Sequence, residues 1–383
     1  MPPDDLRKIR ITEVAVHHLR GKLKERFGWS LNWTWERFAT LVQVKTDAGI
    51  EGWGDGGFGG ALLLQHPELV IGRSPFEVEA IFDAIRQPPP PQGRTGSSSC
   101  GGLDVAIWDV IGKALDQPVA KLLGRIYRSR VQPYCTALYR KDWPDLAAGL
   151  AAEATAWKAR GYRAIKMKTG FGPEIDLEIV RSVRRAIGDD LPLAIDSNCA
   201  YDAGTAAALG RKLEPFHPLW WEEPILAADL KGYSRLRQAC AIPLAGGETL
   251  VTDELIIDYI QPRLVDIVQP DIEHVGFTGG RRLSQLAWLN HVRLIPHNWG
   301  TALRTASELH WAATIPPIAE GLYSPPVMFE FDRTEHPFRD AVIEETIDLE
   351  DDGLIGVPSG PGIGVRVVQD EVERFRTSLH VIS

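Results

Sequence analysis

The chain has 383 residues, 44% hydrophobic and 24% charged, the balance of a folded protein longer than one average domain and able to bury a sizeable core. A formal charge of -9 argues against nucleic acid and anionic membrane as partners, because both call for a basic face. No apolar run reaches the roughly 20 residues of a membrane helix, and the start MPPDDLRKIRITEV lacks the apolar core of a signal peptide. The four cysteines (Cys100, Cys135, Cys199, Cys240) lie far apart with no CxxC pair, so reduced thiols and a cytoplasmic location are expected.

Residues 8–20 and 38–46 read as strands, with DAG at 47–49 as the turn into IEGWGD. Between them RFGWSLNWTWERF (26–38) reads as a loop whose Trp29 and Trp33 are candidate substrate-lining residues, packing on the domain's own core being the alternative. GWGDGGFGG lacks the GxGxxG or GK[ST] pattern of a phosphate loop and is expected to shape the fold. Residues 60–86 read as helix interrupted at 72–75, and PPPPQGRTGSSSCGG (88–102) as a loop. GLDVAIWDVIGKALDQP carries apolar residues at 103, 106, 107, 110, 111 and 115, the spacing of an amphipathic helix. Together these predict an α+β domain over 1–130.

From residue 131 the rhythm changes to strand then helix. Apolar runs at 131–138, 162–168, 191–196, 218–222, 242–248, 264–269 and 292–296 alternate with helical stretches, and 321–330 is the candidate for an eighth strand. The fold class is α/β, a (β/α)8-type TIM barrel over 131–337, modified at its ends. In the tail, 338–383, the rhythm is lost, and its VPSG and GPGIG turns predict hairpins returning to the first domain. Both ends of the chain would then form a cap on the barrel.

The predicted strand ends carry polar residues in register. Lys168, Asp196, Glu222, Glu248, Asp271 and His297 lie 28, 26, 26, 23 and 26 residues apart. Lys166 and Lys168 share a face because side chains alternate along a strand. Three carboxylates on neighbouring strand ends repel one another unless a cation joins them. Asp196, Glu222 and Glu248 offer only hard oxygen donors, which favours Mg2+. Lys168 and His297, flanking such a site, suit proton removal from a carbon next to a carboxylate, the cation neutralising the enediolate charge. A positioned base contributes roughly 10²–10⁴-fold, so electrostatic stabilisation must supply much of the rest. Lys168 must be neutral to accept a proton, and Lys166 with the metal would lower its pKa. Asp271 is placed to hold one ring nitrogen of His297. His217, His291, His310 and His336 have no such setting and read as structural.

With its KxK pair, three acids, Asp271 and His297, the chain resembles the mandelate racemase subgroup of the enolase superfamily. The match runs through the cap, the GWGDG turn, the LDVAIWDVIGK helix, the barrel and the C-terminal return. The resemblance implies that Asp196, Glu222 and Glu248 hold Mg2+ and that Lys168 is one acid/base. It implies further that His297 with Asp271 is the other, that Lys166 is an electrostatic helper, and that the protein is a homo-oligomer. Glu330, in MFEFDRTEHPFRD, resembles the eighth-strand residue that hydrogen-bonds a substrate carboxylate oxygen, with Glu320 as its rival; Asn198 either assists near the metal or shapes its loop. Relatives that cycloisomerise muconate or epimerise dipeptides carry a lysine on the sixth strand, where this chain has Asp271. FEFDRTxxPFR, GWG and PHNWGT are similar to members acting on aldaric acids or their lactones, including galactarolactone cycloisomerases.

The expected activity is Mg2+-dependent removal of the α-proton of an acid sugar (aldonate, aldarate or lactone) followed by β-elimination, as in a sugar-acid dehydratase. Lactone ring opening by a cycloisomerase, and racemisation or epimerisation of a 2-hydroxy acid, share the first step and are the alternatives. A metal-dependent hydrolase would want histidine ligands, and a non-catalytic barrel would have lost some of the strand-end residues. Specificity is expected from the 26–38 and 88–102 segments.

Overall fold

The computed structural model describes residues 3–86, 99–319 and 326–383. Strands β1 (Ile11–Gly28) and β2 (Trp33–Thr46) form a long antiparallel hairpin, and β3 (Glu51–Asp55) pairs with β2. Val14 faces Val44 and Val16 faces Val42 across the ladder, all four fully buried. The predicted loop at 26–38 is corrected here: strand pairing runs on to Gly28 and restarts at Trp33, leaving a turn of residues 29–32. Trp33, Thr34 and Trp35 are residue types that suit a pleated ladder, and aromatic density alone does not distinguish such a strand from a loop.

The helix Gly101–Leu115 lies on this sheet. A Cβ at Gly52 or Gly54 would stand 2.1 Å from the backbone oxygen of Ala106 or Gly102, so the glycines of GWGDG let helix and strand approach. The predicted amphipathic helix is in fact buried on every side from Gly101 to Gly112. Its far side meets the helix Ile272–Leu289, where Trp108 Nε1 donates to Thr278 Oγ1 at 3.0 Å and Thr278 Oγ1 donates to Asp104 Oδ1 at 2.6 Å. The helix thus has two partners, one in the sheet and one in the barrel.

The barrel strands are β4 (Arg130–Thr136), β5 (Ile165–Lys168), β6 (Leu193–Asp196), β7 (Trp221–Glu222), β8 (Leu244–Gly246), β9 (Ile267–Val268), β10 (Arg293–Leu294) and β11 (Met328–Asp332). All are parallel; β4 to β10 lie side by side in chain order, and β11 returns to pair with β4. The eighth strand therefore starts at Met328, later than predicted; residues 320–325, with Glu320, and 87–98 lie outside the described residues. The tail returns to the first domain as expected: Ile343 and Val367 pair antiparallel, and Gly362 of the GPGIG turn bonds Gln117 and Val119. Its β12 (Ile355–Gly356) pairs antiparallel with barrel strand β4, and β13 (Arg376–Ile382) pairs with β1 at the edge of the cap sheet.

Tyr134, Ala164, Ala194, Trp220, Ala245, Ile267, Ile295 and Met328 pack together as one buried cluster, one residue from each strand or its approach. Two aromatic rings, two isoleucines and a methionine set among three alanines fill the barrel to a solid floor. The residue two positions on from each floor member points to the same interior, one layer up.

Candidate active site

That period-of-two rule generates the site. Above the floor stand Thr136, Lys166, Asp196, Glu222, Gln269, His297 and Glu330, two residues beyond Tyr134, Ala164, Ala194, Trp220, Ile267, Ile295 and Met328. On the fifth strand the next position is Gly247, with Glu248 following it. Asp196, Glu222 and Glu248 bring three carboxylate oxygens within 4.8 Å of one another.

Lys166, 1% exposed, sits 2.5 Å from Glu222 Oε1, 2.7 Å from Glu330 Oε1 and 3.7 Å from Asp196 Oδ2. Lys168 Nζ donates to Asp196 Oδ2 and lies 5.2 Å from the centre of the Tyr139 ring. The lowered Lys168 pKa expected from the sequence presupposes a bound cation that takes up the charge of Asp196. Burial pushes the Lys168 pKa down, but the adjoining Asp196 carboxylate pulls it up further, leaving it above the ordinary lysine value. Proximity of Lys166 opposes this and does not prevail. Asp196 moves the other way: burial raises it, and Lys168 and Lys166 draw it below the usual carboxylate range.

Glu222 is fully buried, and its Oε2 accepts from Trp220 Nε1 at 3.0 Å and Gln269 Nε2 at 2.8 Å. Burial, reinforced by the charges of Asp196, Glu330 and Glu248, pushes its pKa up to about 7 despite Lys166. Asn198 bridges two of the acids: its backbone N–H donates to Asp196 Oδ1 at 2.9 Å and its Nδ2 to Glu248 Oε1 at 3.0 Å. Glu248 Oε2 lies 3.1 Å from His297 Nε2 yet has no aligned hydrogen-bond donor among the described residues. Three crowded oxygen donors, one of them orphaned and another held up in pKa by its neighbours' charges, fit a hard divalent cation.

Across the cluster, His297 Nδ1 lies 2.6 Å from Asp271 Oδ2. Asp271 also caps the helix Ile272–Leu289 through the Glu273 N–H, and Arg304 stands 3.4 Å from it. Burial raises the Asp271 pKa, but Arg304 and His297 outweigh it and hold the acid well below its usual range. For His297 burial presses the pKa down, and Glu248, Glu330 and Asp271 together lift it well above the ordinary imidazole value. Glu330 accepts from Thr136 Oγ1 at 2.6 Å and from the Asn298 N–H at 3.1 Å.

The turn at 29–32 lies over this mouth. Ser30 Oγ donates to the backbone oxygens of Ser197 at 2.8 Å and Asn198 at 3.2 Å, beside Asp196. Trp29 packs edge-on against Trp299 and Tyr139, ring centres 5.7 and 6.5 Å away. The Trp33 ring instead meets Arg26 and Arg140, at 4.5 and 5.2 Å. Sequence reasoning missed Thr136, Tyr139, Gln269, Asn298 and Arg304. The first, third and fourth are uncharged and carry no pattern of their own, though the same strand-end rule that finds Glu222 reaches Gln269.

Comparison with known proteins agrees with this geometry. Residues 12–124 match the model of the mandelate racemase / muconate lactonizing enzyme N-terminal domain, and residues 149–371 match the enolase C-terminal domain-like model. The chain belongs to the mandelate racemase / muconate lactonizing enzyme family. Members similar to it include a D-galactarolactone cycloisomerase of Agrobacterium fabrum, 34% identical over 96% of this chain and 99% of that protein. An arabinonate dehydratase of Saccharolobus solfataricus is 31% identical over 82% of this chain and 80% of its own. The solved structure of the 3,6-anhydro-D-galactonate cycloisomerase from Zobellia galactanivorans superposes with a TM-score of 0.82 at 33% identity, covering 96% of this chain and all of that one. This member of the family is an enzyme, a lyase or isomerase of the enolase superfamily.

Proposed function

We propose that this enzyme removes the α-proton of an acid sugar and expels the oxygen substituent on the β-carbon. The observation that carries the reading is the pair Lys168 and His297 on opposite flanks of the Asp196, Glu222 and Glu248 cluster, each tied to one of its acids. Mg2+ bound by those three residues would stabilise the negative charge developing on the substrate carboxylate and would compete with Lys168 for the charge of Asp196.

The chain's own residues supply the rest. Lys168 or His297 takes the proton from the α-carbon at Nζ or Nε2, and the other protonates the departing oxygen. Asp271 fixes the ring of His297 through Nδ1, so that Nε2 faces the mouth. Lys166 and the Thr136 hydroxyl hold Glu330, which we assign to a substrate carboxylate oxygen, a contact that needs one proton shared between the two carboxyl groups. Asn198 holds Asp196 and Glu248 in register. Trp29 and the turn at 29–32 shield the mouth from water, and low dielectric there strengthens each of these interactions.

Two leaving groups satisfy this chemistry. Loss of hydroxide, with the added proton, gives water and a 2-keto-3-deoxy acid, the dehydratase outcome. A second reading has the ring oxygen of a lactone or anhydro sugar leave, so that the ring opens with no change in composition. The cycloisomerase names of the Agrobacterium fabrum and Zobellia galactanivorans proteins, matched over nearly the whole chain, favour this second outcome.

The test is NMR in D2O with Mg2+ over aldonates, aldarates and aldarolactones. Expected is consumption of one substrate class with Lys168→Ala and His297→Ala each lowering kcat by about 10²-fold or more. Water loss identifies the dehydratase and a ring-opened isomer the cycloisomerase. Deuterium at the α-carbon with no new constitution would identify an epimerase and exclude elimination; no exchange with any of these acids overturns the proposal.

A further inference from the structure

Arg140 stands out among the basic residues around the mouth. It is solvent-exposed, and it carries no ion pair to any described carboxylate. Its neighbour Arg26 is fully committed, with Nε 2.5 Å and Nη2 2.9 Å from the two oxygens of Asp142. Arg140 nevertheless is held in place. Its backbone exchanges two hydrogen bonds with Gly28, at 2.8 and 2.9 Å, at the base of the turn that covers the mouth. Its guanidinium carbon lies over the rings of Trp33 and Phe171, 5.2 and 5.6 Å from their centres. Cation–π contacts of this kind use none of the guanidinium N–H donors, which stay free for a planar acceptor.

Arg140 is also tied to the site. The preceding residue is Tyr139, whose ring approaches Lys168, and Phe171 follows Lys168 by three residues on the loop that leaves β5. The segment 139–140 is therefore a wall running from the reacting end outward. An unpaired, pre-positioned guanidinium at the outer end of such a wall is suited to a second anionic group on the substrate.

We propose that Arg140, framed by Trp33 and Phe171, binds the distal carboxylate of a dicarboxylic sugar acid, so that the enzyme selects aldarates and their monolactones over aldonates. The proposal rests on the acid-sugar reading above and narrows it to one substrate class. Of the two sequence-nominated tryptophans, Trp33 then acts through Arg140, and Trp29 through Tyr139 and Trp299.

The test is calorimetric binding of a hexarate and the hexonate of the same configuration, with Mg2+ present, to the whole enzyme, Arg140→Gln and Arg140→Lys. Expected is tighter binding of the hexarate by the unaltered enzyme. Arg140→Gln should reduce that preference by about 10-fold or more, the size of a charge-assisted hydrogen bond, and Arg140→Lys should restore part of it. Equal weakening of both ligands in the Gln variant, or an unchanged preference, overturns the assignment. Parallel α-deuterium exchange separates the two claims. An Arg140-dependent preference without exchange keeps the subsite and sinks the reaction; exchange with a preference indifferent to Arg140 does the reverse.

Discussion

Glu222 shows how one residue's setting becomes a function. Its floor neighbour Trp220 and the uncharged Gln269 fix one oxygen, Lys166 holds the other, and Asp196 and Glu248 crowd in from adjoining strands. Glu222→Gln keeps the shape and removes one negative charge from the proposed ligand set. Mg2+ affinity measured by calorimetry should fall about 10-fold or more; an unchanged affinity would remove Glu222 from the ligands. The acids and the KxK pair were legible because charge at a strand end is unusual. Thr136, Gln269 and Asn298 were not, since a neutral polar residue looks the same whether it binds a carboxylate or only solvent.

His310, read from sequence as structural, is buried in the helix Ala302–Thr314, and its Nδ1 lies 3.2 Å from the Ala120 N–H that it accepts. Burial depresses its pKa from 6.5 to about 4. Between those two values the unfolded chain binds a proton that the folded protein refuses, so stability falls as the pH drops through this window. The full loss is about 3 kcal/mol and is absent above the unfolded pKa. Denaturant titrations at about pH 7.5, 6 and 4.5 should show this slope, and His310→Gln should flatten it. An identical slope in the variant would place the effect elsewhere.

At the scale of elements, the contact between β3 and the helix Gly101–Leu115 decides how the cap is built. Gly54 lets the two backbones meet, and a methyl group there would strike the Gly102 oxygen at 2.1 Å. Gly54→Ala should cost about 1–3 kcal/mol, the range for overpacking a close interface, read as a lowered midpoint in urea; a neutral effect would show that the strand can retreat freely. GWGDG was recognisable as fold-shaping from sequence, but its partner was not, because close approach leaves a mark only on the glycine side. The turn at 29–32 teaches the complementary lesson. Its aromatic flanks looked like loop, and only pairing with the opposite strand, in register from Gly28 and Trp33, made them strand.

For the whole molecule, the same helix joins cap to barrel. It packs on the cap sheet on one side and through Trp108, Asp104 and Thr278 on the helix Ile272–Leu289 on the other. Arg304 adds a second tie, bonding Asp55 of β3 at 2.9 Å and standing beside Asp271. With so much buried surface shared, the proposed division into a cap of 1–130 and 338–383 and a barrel of 131–337 should not be a division in stability. Scanning calorimetry should give one endotherm, whereas two resolved transitions would show that cap and barrel fold independently.

The sequence by itself determined the strand–helix alternation, the polar residue at each strand end and the class of chemistry they allow. These are one-dimensional signals: hydrophobic period, chain spacing and the hardness of donor atoms survive without a fold. Only the tertiary structure decided which charges neutralise which. Lys168 rests against Asp196, the tail's β12 joins the barrel while β13 joins the cap, and Arg140 lies against Trp33 with no ion pair to a described carboxylate. The physical reason is common to all three. Coulomb energy and strand pairing depend on separation in space, and residues 28, 224 or 366 positions apart in the chain (168 and 196, 131 and 355, 15 and 381) become neighbours only when the barrel closes beneath its cap.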